Sequence, residues 1–123
     1  MTSEDKLPVG REGNLEDYLE DEGFVCPGCG CTFTHQLATA VFSRAGEYEP
    51  TVRTIVPART KPDVWGDEDA KKWNPSCPSP RRDGTLLLMK CEDYGCLSEI
   101  GIYQHQGRTY ASVKNLGAEK TLS

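Results

Sequence analysis

A small, mainly β, antiparallel fold is what this sequence predicts, and three observations predict it. Two cysteine pairs, Cys26-Pro27-Gly28-Cys29 and Cys91-Glu92-Asp93-Tyr94-Gly95-Cys96, each form a turn that can aim two sulfurs at one point. Between and after them run short segments rich in β-branched and aliphatic residues, bounded by Gly, Pro and Asn. The core material is thin: 37% hydrophobic residues in 123, with 12 glycines and 8 prolines. That suits one domain of modest core that gains folding free energy from a bound metal. Four thiolates in a tetrahedron suit structural zinc. The expectation is a zinc ribbon expanded into a four- to five-stranded antiparallel sheet. Cys26, Cys29, Cys91 and Cys96 hold one structural Zn²⁺ at one end, and a long loop, residues 57–84, is inserted between the halves.

Taken in order, residues 1–13 are polar and without periodicity, and read as a disordered acidic tail. Residues 14–114 read as the single domain. Asn14 is placed to cap a short helix with Leu15, Tyr18 and Leu19 as its apolar stripe, ended by Gly23. Phe24-Val25 leads into the first turn, where Gly28 and Gly30 permit a tight path and backbone amides reach the sulfurs. Leu37–Arg44 and Thr51–Val56 read as a hairpin, with Val52, Thr54 and Val56 on one side of the second strand and Arg53 and Ile55 on the other. Asp67–Trp73 has room for a helical turn or two. Thr85–Lys90, with its run Leu86-Leu87-Leu88-Met89, reads as a central strand covered on both faces. Leu97–Tyr103 and Arg108–Val113 form a second hairpin about Gln104–Gly107, where His105 reads as a surface histidine. Residues 115–123 read as a frayed tail.

Two cysteines and a histidine lie outside the expected metal set. Cys31 follows Cys29 too closely for the usual geometry and reads as free or as a neighbour of the site. Cys77 sits between prolines in the loop. His35 is the rival fourth ligand, since Cys₃His sites are also common. A disulfide framework is the alternative for six cysteines, but nothing selects one of its pairings.

Composition narrows the function. Residues 1–25 carry eight acids and two bases, while residues 26–123 carry eleven and twelve, so the folded body is near neutral. It lacks the broad basic footprint of a nucleic-acid binder. No segment reaches the roughly 20 apolar residues of a membrane span, and Met1-Thr-Ser-Glu-Asp-Lys is unlike a signal peptide. The default location is the cytoplasm. No Ser-His-Asp set, phosphate loop or His-x-Glu metal motif is evident, so the chain reads as non-enzymatic with no small-molecule substrate. A dithiol redox role for Cys26-Pro-Gly-Cys29 lacks the surrounding βαβ pattern. What remains is a protein-binding module or, as the alternative, a nucleic-acid-binding ribbon using the basic and aromatic loop. The expected contact residues are Trp65, Trp73, Arg81 and Arg82, because aromatic and arginine side chains are common interface anchors. The competing reading packs both tryptophans onto the sheet and leaves the arginines in a solvated turn.

The segments Phe24-Val-Cys-Pro-Gly-Cys-Gly, Asn74-Pro-Ser, Arg81-Arg-Asp-Gly, Met89-Lys-Cys-Glu and Ser98-Glu-Ile-Gly-Ile-Tyr-Gln-His-Gln-Gly-Arg-Thr resemble small zinc-ribbon-like proteins of bacteriophages and actinobacterial mobile elements. The resemblance covers roughly residues 24–113. It implies a phage or prophage origin and a cysteine-bound metal, not a reaction. In that pattern the second cysteine pair is shorter than Cys91–Cys96, and Cys77 interrupts the stretch from Asn74-Pro-Ser to Arg81-Arg. Whether Cys77 joins the metal is left open.

Overall fold

A computed structural model describes residues 6–21, 23–46, 49–57, 72–79, 83–92, 95–105 and 107–118. Eight strands are present among them: β1 Glu12–Asn14, β2 Leu19–Glu20, β3 Gly23–Phe24, β4 Thr34–Ser43, β5 Val52–Pro57, β6 Gly84–Cys91, β7 Cys96–His105 and β8 Arg108–Ala118. Six of them form one antiparallel sheet in the order β1-β8-β7-β6-β4-β5, and β2 and β3 pair separately. The five expected strands are thus β4 to β8, and β1 adds a sixth.

Strand order accounts for the long loop. β6 pairs with β4, not with its sequence neighbour β5. Because both pair antiparallel to β4, β5 and β6 run parallel and the chain must cross over β4 to join them. Such a crossover needs a dozen or more residues. Residues 72–79 of it lie against one face of the sheet, here the strap face. Side chains alternate across each strand, so Ala38, Ala40, Phe42, Leu86, Leu88 and Leu97 form the strap-face core, with Trp73 packed into them. Leu37 joins this core as well, because a bulge between Gln36 and Ala38 breaks the alternation that would place it with Thr39 and Val41.

The opposite, arm face is covered by the N-terminal segment. Met89, Ile100 and Val113 pack with Tyr18, and Leu7, Leu15, Phe24 and Leu87 close around them. Leu87 and Met89 on one side and Leu86 and Leu88 on the other give the β6 run its two covered faces.

Three boundaries differ from expectation. Residues 6–13 are not a free tail: Gly10 N–H donates to the Asn115 carbonyl at 2.7 Å, and Glu12–Asn14 pairs with Ser112–Lys114. The expected helix is a single 3-10 turn, Leu15–Tyr18, without a side-chain cap from Asn14; its Tyr18 is buried while Leu19 is exposed. The C-terminal strand runs on to Ala118, with Asn115 buried. Residues 1–5 and 119–123 lie outside the described residues. So do residues 67–71, where a helical turn is expected.

Candidate metal centre

Four chain segments meet at one end of the sheet. β4 leaves the first cysteine turn, the second turn joins β6 to β7, and Cys96 pairs with Ala118 near the end of β8. Glu92 N–H donates to the Phe33 carbonyl at 2.8 Å, which ties the two turns directly.

Each turn follows from its sequence. In the first, Cys26 N–H donates to the Cys31 carbonyl and Gly30 N–H to the Cys26 carbonyl, both at 2.9 Å. Gly30 has φ +82°, a conformation that costs a residue with a Cβ. Amides of Gly28 and Cys29 point to the Cys26 sulfur, and the amide of Cys31 points to that of Cys29. In the second turn, Gly95 N–H donates to the Cys91 carbonyl at 3.2 Å.

The sulfurs of Cys26, Cys29, Cys91 and Cys96 all lie within 4.8 Å of one another, and those of Cys29 and Cys91 are 3.3 Å apart. These four sulfurs form a cluster that can hold one metal ion. Zinc at about 2.3 Å from each sulfur would set tetrahedral neighbours about 3.8 Å apart, so the donor set fits. None of the six cysteines is in a disulfide, so no disulfide competes for these sulfurs. Cys26 and Cys91 are each 1% exposed.

Without a cation the site is hostile to thiolate. Burial pushes the Cys26 thiol up to about 11, against the opposing pull of the Gly28 and Cys29 amides. Burial, together with the Cys91 and Cys26 sulfurs, pushes Cys29 up to about 12. Burial and then the charges of Cys29 and Cys91 push Cys96 up to about 11. A divalent cation reverses this logic, because coordinated thiols deprotonate. No family model, curated protein or solved structure matches this chain. The donor set and its geometry carry the assignment.

The other sequence candidates fall elsewhere. Cys31 is buried against the centre but is not one of its four sulfurs; its sulfur accepts from Phe33 N–H at 3.3 Å. His35, the rival ligand, lies on β4 with Nε2 3.6 Å from a Glu92 carboxylate oxygen, outside the sulfur set. Cys77 packs on the strap-face core and lines a cleft with Glu12, Glu99 and Lys114. Trp73 is 4% exposed and its Nε1–H donates to Glu99 Oε2 at 2.7 Å, so it pins the strap and presents no contact surface. Trp65, Arg81 and Arg82 lie outside the described residues.

Sequence reasoning missed the residue that braces the centre. The Asn115 amide nitrogen donates to the Leu7 carbonyl at 2.7 Å, and its oxygen accepts from Gly117 N–H at 2.8 Å. The same amide stands so close to Gly28 that a Cβ there would meet it at 3.3 Å. Leu7 N–H in turn donates to the Pro27 carbonyl at 2.8 Å. Arm, last strand and first cysteine turn are thereby joined through one buried amide. The only sequence signal was an Asn-Leu-Gly break in a strand pattern, which reads as a fraying end.

Proposed function

We propose that the protein is a non-enzymatic interaction module, in which a saturated structural zinc centre sets the fold and the surface binds a protein partner. The convergence of four cysteine sulfurs carries this reading. Four thiolates fill the tetrahedral coordination of zinc, whereas catalytic zinc keeps a position open for water or substrate. Cys26, Cys29, Cys91 and Cys96 would hold the ion, and its chemistry there is to clamp the turn that precedes β4 to the end of β6 and the start of β7. The near-neutral body suits a protein surface better than a nucleic-acid backbone. The burial of Trp73 also removes one of the two aromatics that a base-stacking reading needs. A phage or prophage origin, implied by the resemblance of residues 24–113, makes a host protein the partner class to seek first.

The test is capture of partners by the tagged, zinc-loaded protein with and without nuclease. Retention after nuclease, with moderate weakening by salt, supports the proposal. Release by nuclease with steep salt dependence favours the nucleic-acid reading. Replacing Arg81 and Arg82 together by alanine should leave zinc content intact and weaken capture at least about tenfold, or about 1.4 kcal/mol. Unchanged capture would remove the arginines from the contact.

A further inference from the structure

Five cysteines, not four, gather at the metal end. Cys31 packs with Cys26 and Cys91 in one buried cluster, and Cys29 and Cys96 close against it. Cys31 is 9% exposed and lies outside the set of four whose sulfurs converge. Its backbone nevertheless helps to build the centre: its amide points to the Cys29 sulfur, and its carbonyl accepts from Cys26 N–H at 2.9 Å. Its own sulfur accepts from Phe33 N–H at 3.3 Å and stands 3.5 Å from the Phe33 carbonyl oxygen. Tetrahedral coordination by the other four has no use for a fifth sulfur, so coordination does not explain why this one is here.

The four converging cysteines differ in access. Cys26 and Cys91 are buried, whereas Cys29 and Cys96 are half-buried. A reagent arriving from solvent therefore meets Cys29 or Cys96 first. Of these two, only Cys29 has a cysteine outside the four in its own turn, two residues on. Coordination keeps a ligand thiol deprotonated, and a solvent-reachable thiolate with a second thiol beside it is the arrangement of redox-responsive cysteines. A ring closed between Cys29 and Cys31 is small. Gly30 lies between them at φ +82°, with no Cβ to resist its closure. The Cys31 amide is already turned to the Cys29 sulfur, so the main movement required is rotation of the Cys31 side chain away from Phe33.

We propose that Cys29 and Cys31 are an oxidation site, at which a hydroperoxide converts the accessible ligand and its neighbour into a disulfide and so opens the metal centre, a step that rests on the zinc centre proposed above. The Cys29 sulfur attacks one peroxide oxygen: an S–O bond forms, the O–O bond breaks, and the other oxygen leaves with a proton from solvent. The Cys31 thiol then attacks the oxidised sulfur: the S–S bond forms, the S–O bond breaks, and water leaves with the Cys31 proton. Two electrons pass from the pair of sulfurs to the peroxide. Three sulfurs remain where four fill the tetrahedron, and a dithiol reverses the change. The arm feels it too, because Leu7 N–H donates to the Pro27 carbonyl of the same turn at 2.8 Å.

Hydrogen peroxide added to the reduced, zinc-loaded full chain tests it, with zinc release read by a colorimetric chelator and disulfides mapped by fragment mass spectra. The wild type should lose its zinc as a Cys29–Cys31 disulfide forms, with Cys26 and Cys91 still open to alkylation, and should regain it with dithiothreitol and added zinc. Cys31→Ser should start with the same zinc content, because Cys31 is not a ligand. Without the second thiol, dimedone labelling of a Cys29 sulfenic acid should rise several-fold. Recovery of zinc should fall, because sulfenic acid goes on to sulfinic acid, which dithiols do not reduce. Zinc that stays bound in the oxidised wild type overturns the proposal, as does zinc lost with a disulfide between any other pair. A Cys31→Ser chain that loses and recovers zinc as the wild type does overturns it too. If Cys31→Ser fails to fold, the wild-type disulfide map decides alone. A chain that holds no zinc before peroxide overturns the metal centre and this proposal with it, whereas a loaded chain that never forms Cys29–Cys31 overturns only the latter.

Discussion

The two coverings of the sheet are both irregular chain, yet they are held in different ways. The strap is pinned by side chains along its length. Arg53 Nη1 donates to Asn74 Oδ1 at 2.7 Å and to the Pro75 carbonyl at 3.0 Å. Trp73 reaches Glu99, Ser79 Oγ donates to the Gln104 carbonyl at 3.0 Å, and Arg44 Nη2 donates to the Ser79 carbonyl at 3.1 Å. Pro78 lies so close over Gly84 that a Cβ there would meet it at 2.7 Å. None of these contacts involves a cysteine of the metal centre. The arm packs Tyr18, Leu7 and Leu15 onto its face, and its hydrogen bonds run to the first cysteine turn and to β8, gathered at Asn115. One covering therefore depends on the metal end of the molecule and the other does not. A metal staple in a small domain need not secure every part of it equally.

The largest expected effect comes from the staple itself. Cys91→Ser replaces a thiolate by a poor ligand in a site whose metal-binding free energy, of order 10 kcal/mol, is folding free energy. It should abolish zinc binding and cooperative unfolding, read by elemental analysis and circular dichroism. Acid should act in the same direction. Zinc must displace protons from thiols that the metal-free site holds near 11 to 12. Zinc release to a colorimetric chelator should therefore rise steeply as pH falls. The metal-free fold has the opposite sign. Its raised thiol pKa values contribute stability that is present below the ordinary 9.0 and lost as pH climbs through 11 to 12.

Next in size is Trp73→Ala. Removing a buried aromatic costs about 3–5 kcal/mol, and the melting temperature should drop accordingly. Zinc content and the rate of zinc loss to chelator should stay near wild type, because the strap is pinned away from the cysteines. Faster zinc loss in this variant would break the contrast between the two coverings. Asn115→Ala should cost less, about 1–3 kcal/mol for the partners left unsatisfied, but it should speed zinc loss. Equal zinc kinetics in the two variants would mean that the arm does not brace the centre. Smallest is Trp73→Phe, which keeps the ring and loses the bond to Glu99, for about 1 kcal/mol.

The sequence was informative where structure is local. Alternation in Val52–Val56 and the apolar run Leu86–Met89 declared their strands and faces, and the four cysteines that cluster were legible from Pro-Gly and Gly at the turns. It was opaque where structure comes from distant pairing. Glu12-Gly13-Asn14 contains two poor strand formers and becomes β1 only because β8 offers it a ladder. Asn115–Gly117 looked like a fraying end because a bulge between Leu97 and Ser98 shifts the register there, so alternation no longer marks which residues point inward. Trp73 had two readings from its proline-rich setting, a pin on the sheet or a contact anchor. Its hydrogen-bond partner, Glu99, is 26 residues away, and nothing local couples them.

The most direct measurement is the zinc-to-chain ratio of the double variant Cys31→Ser/Cys77→Ser, set beside the single serine variants of Cys26, Cys29, Cys91 and Cys96. One zinc per chain and a wild-type circular dichroism spectrum are expected in the double variant, with zinc lost in each of the four single variants. A double variant that loses its zinc, or a wild-type chain that is folded and holds no zinc at all, would contradict the four-sulfur centre on which the fold is built.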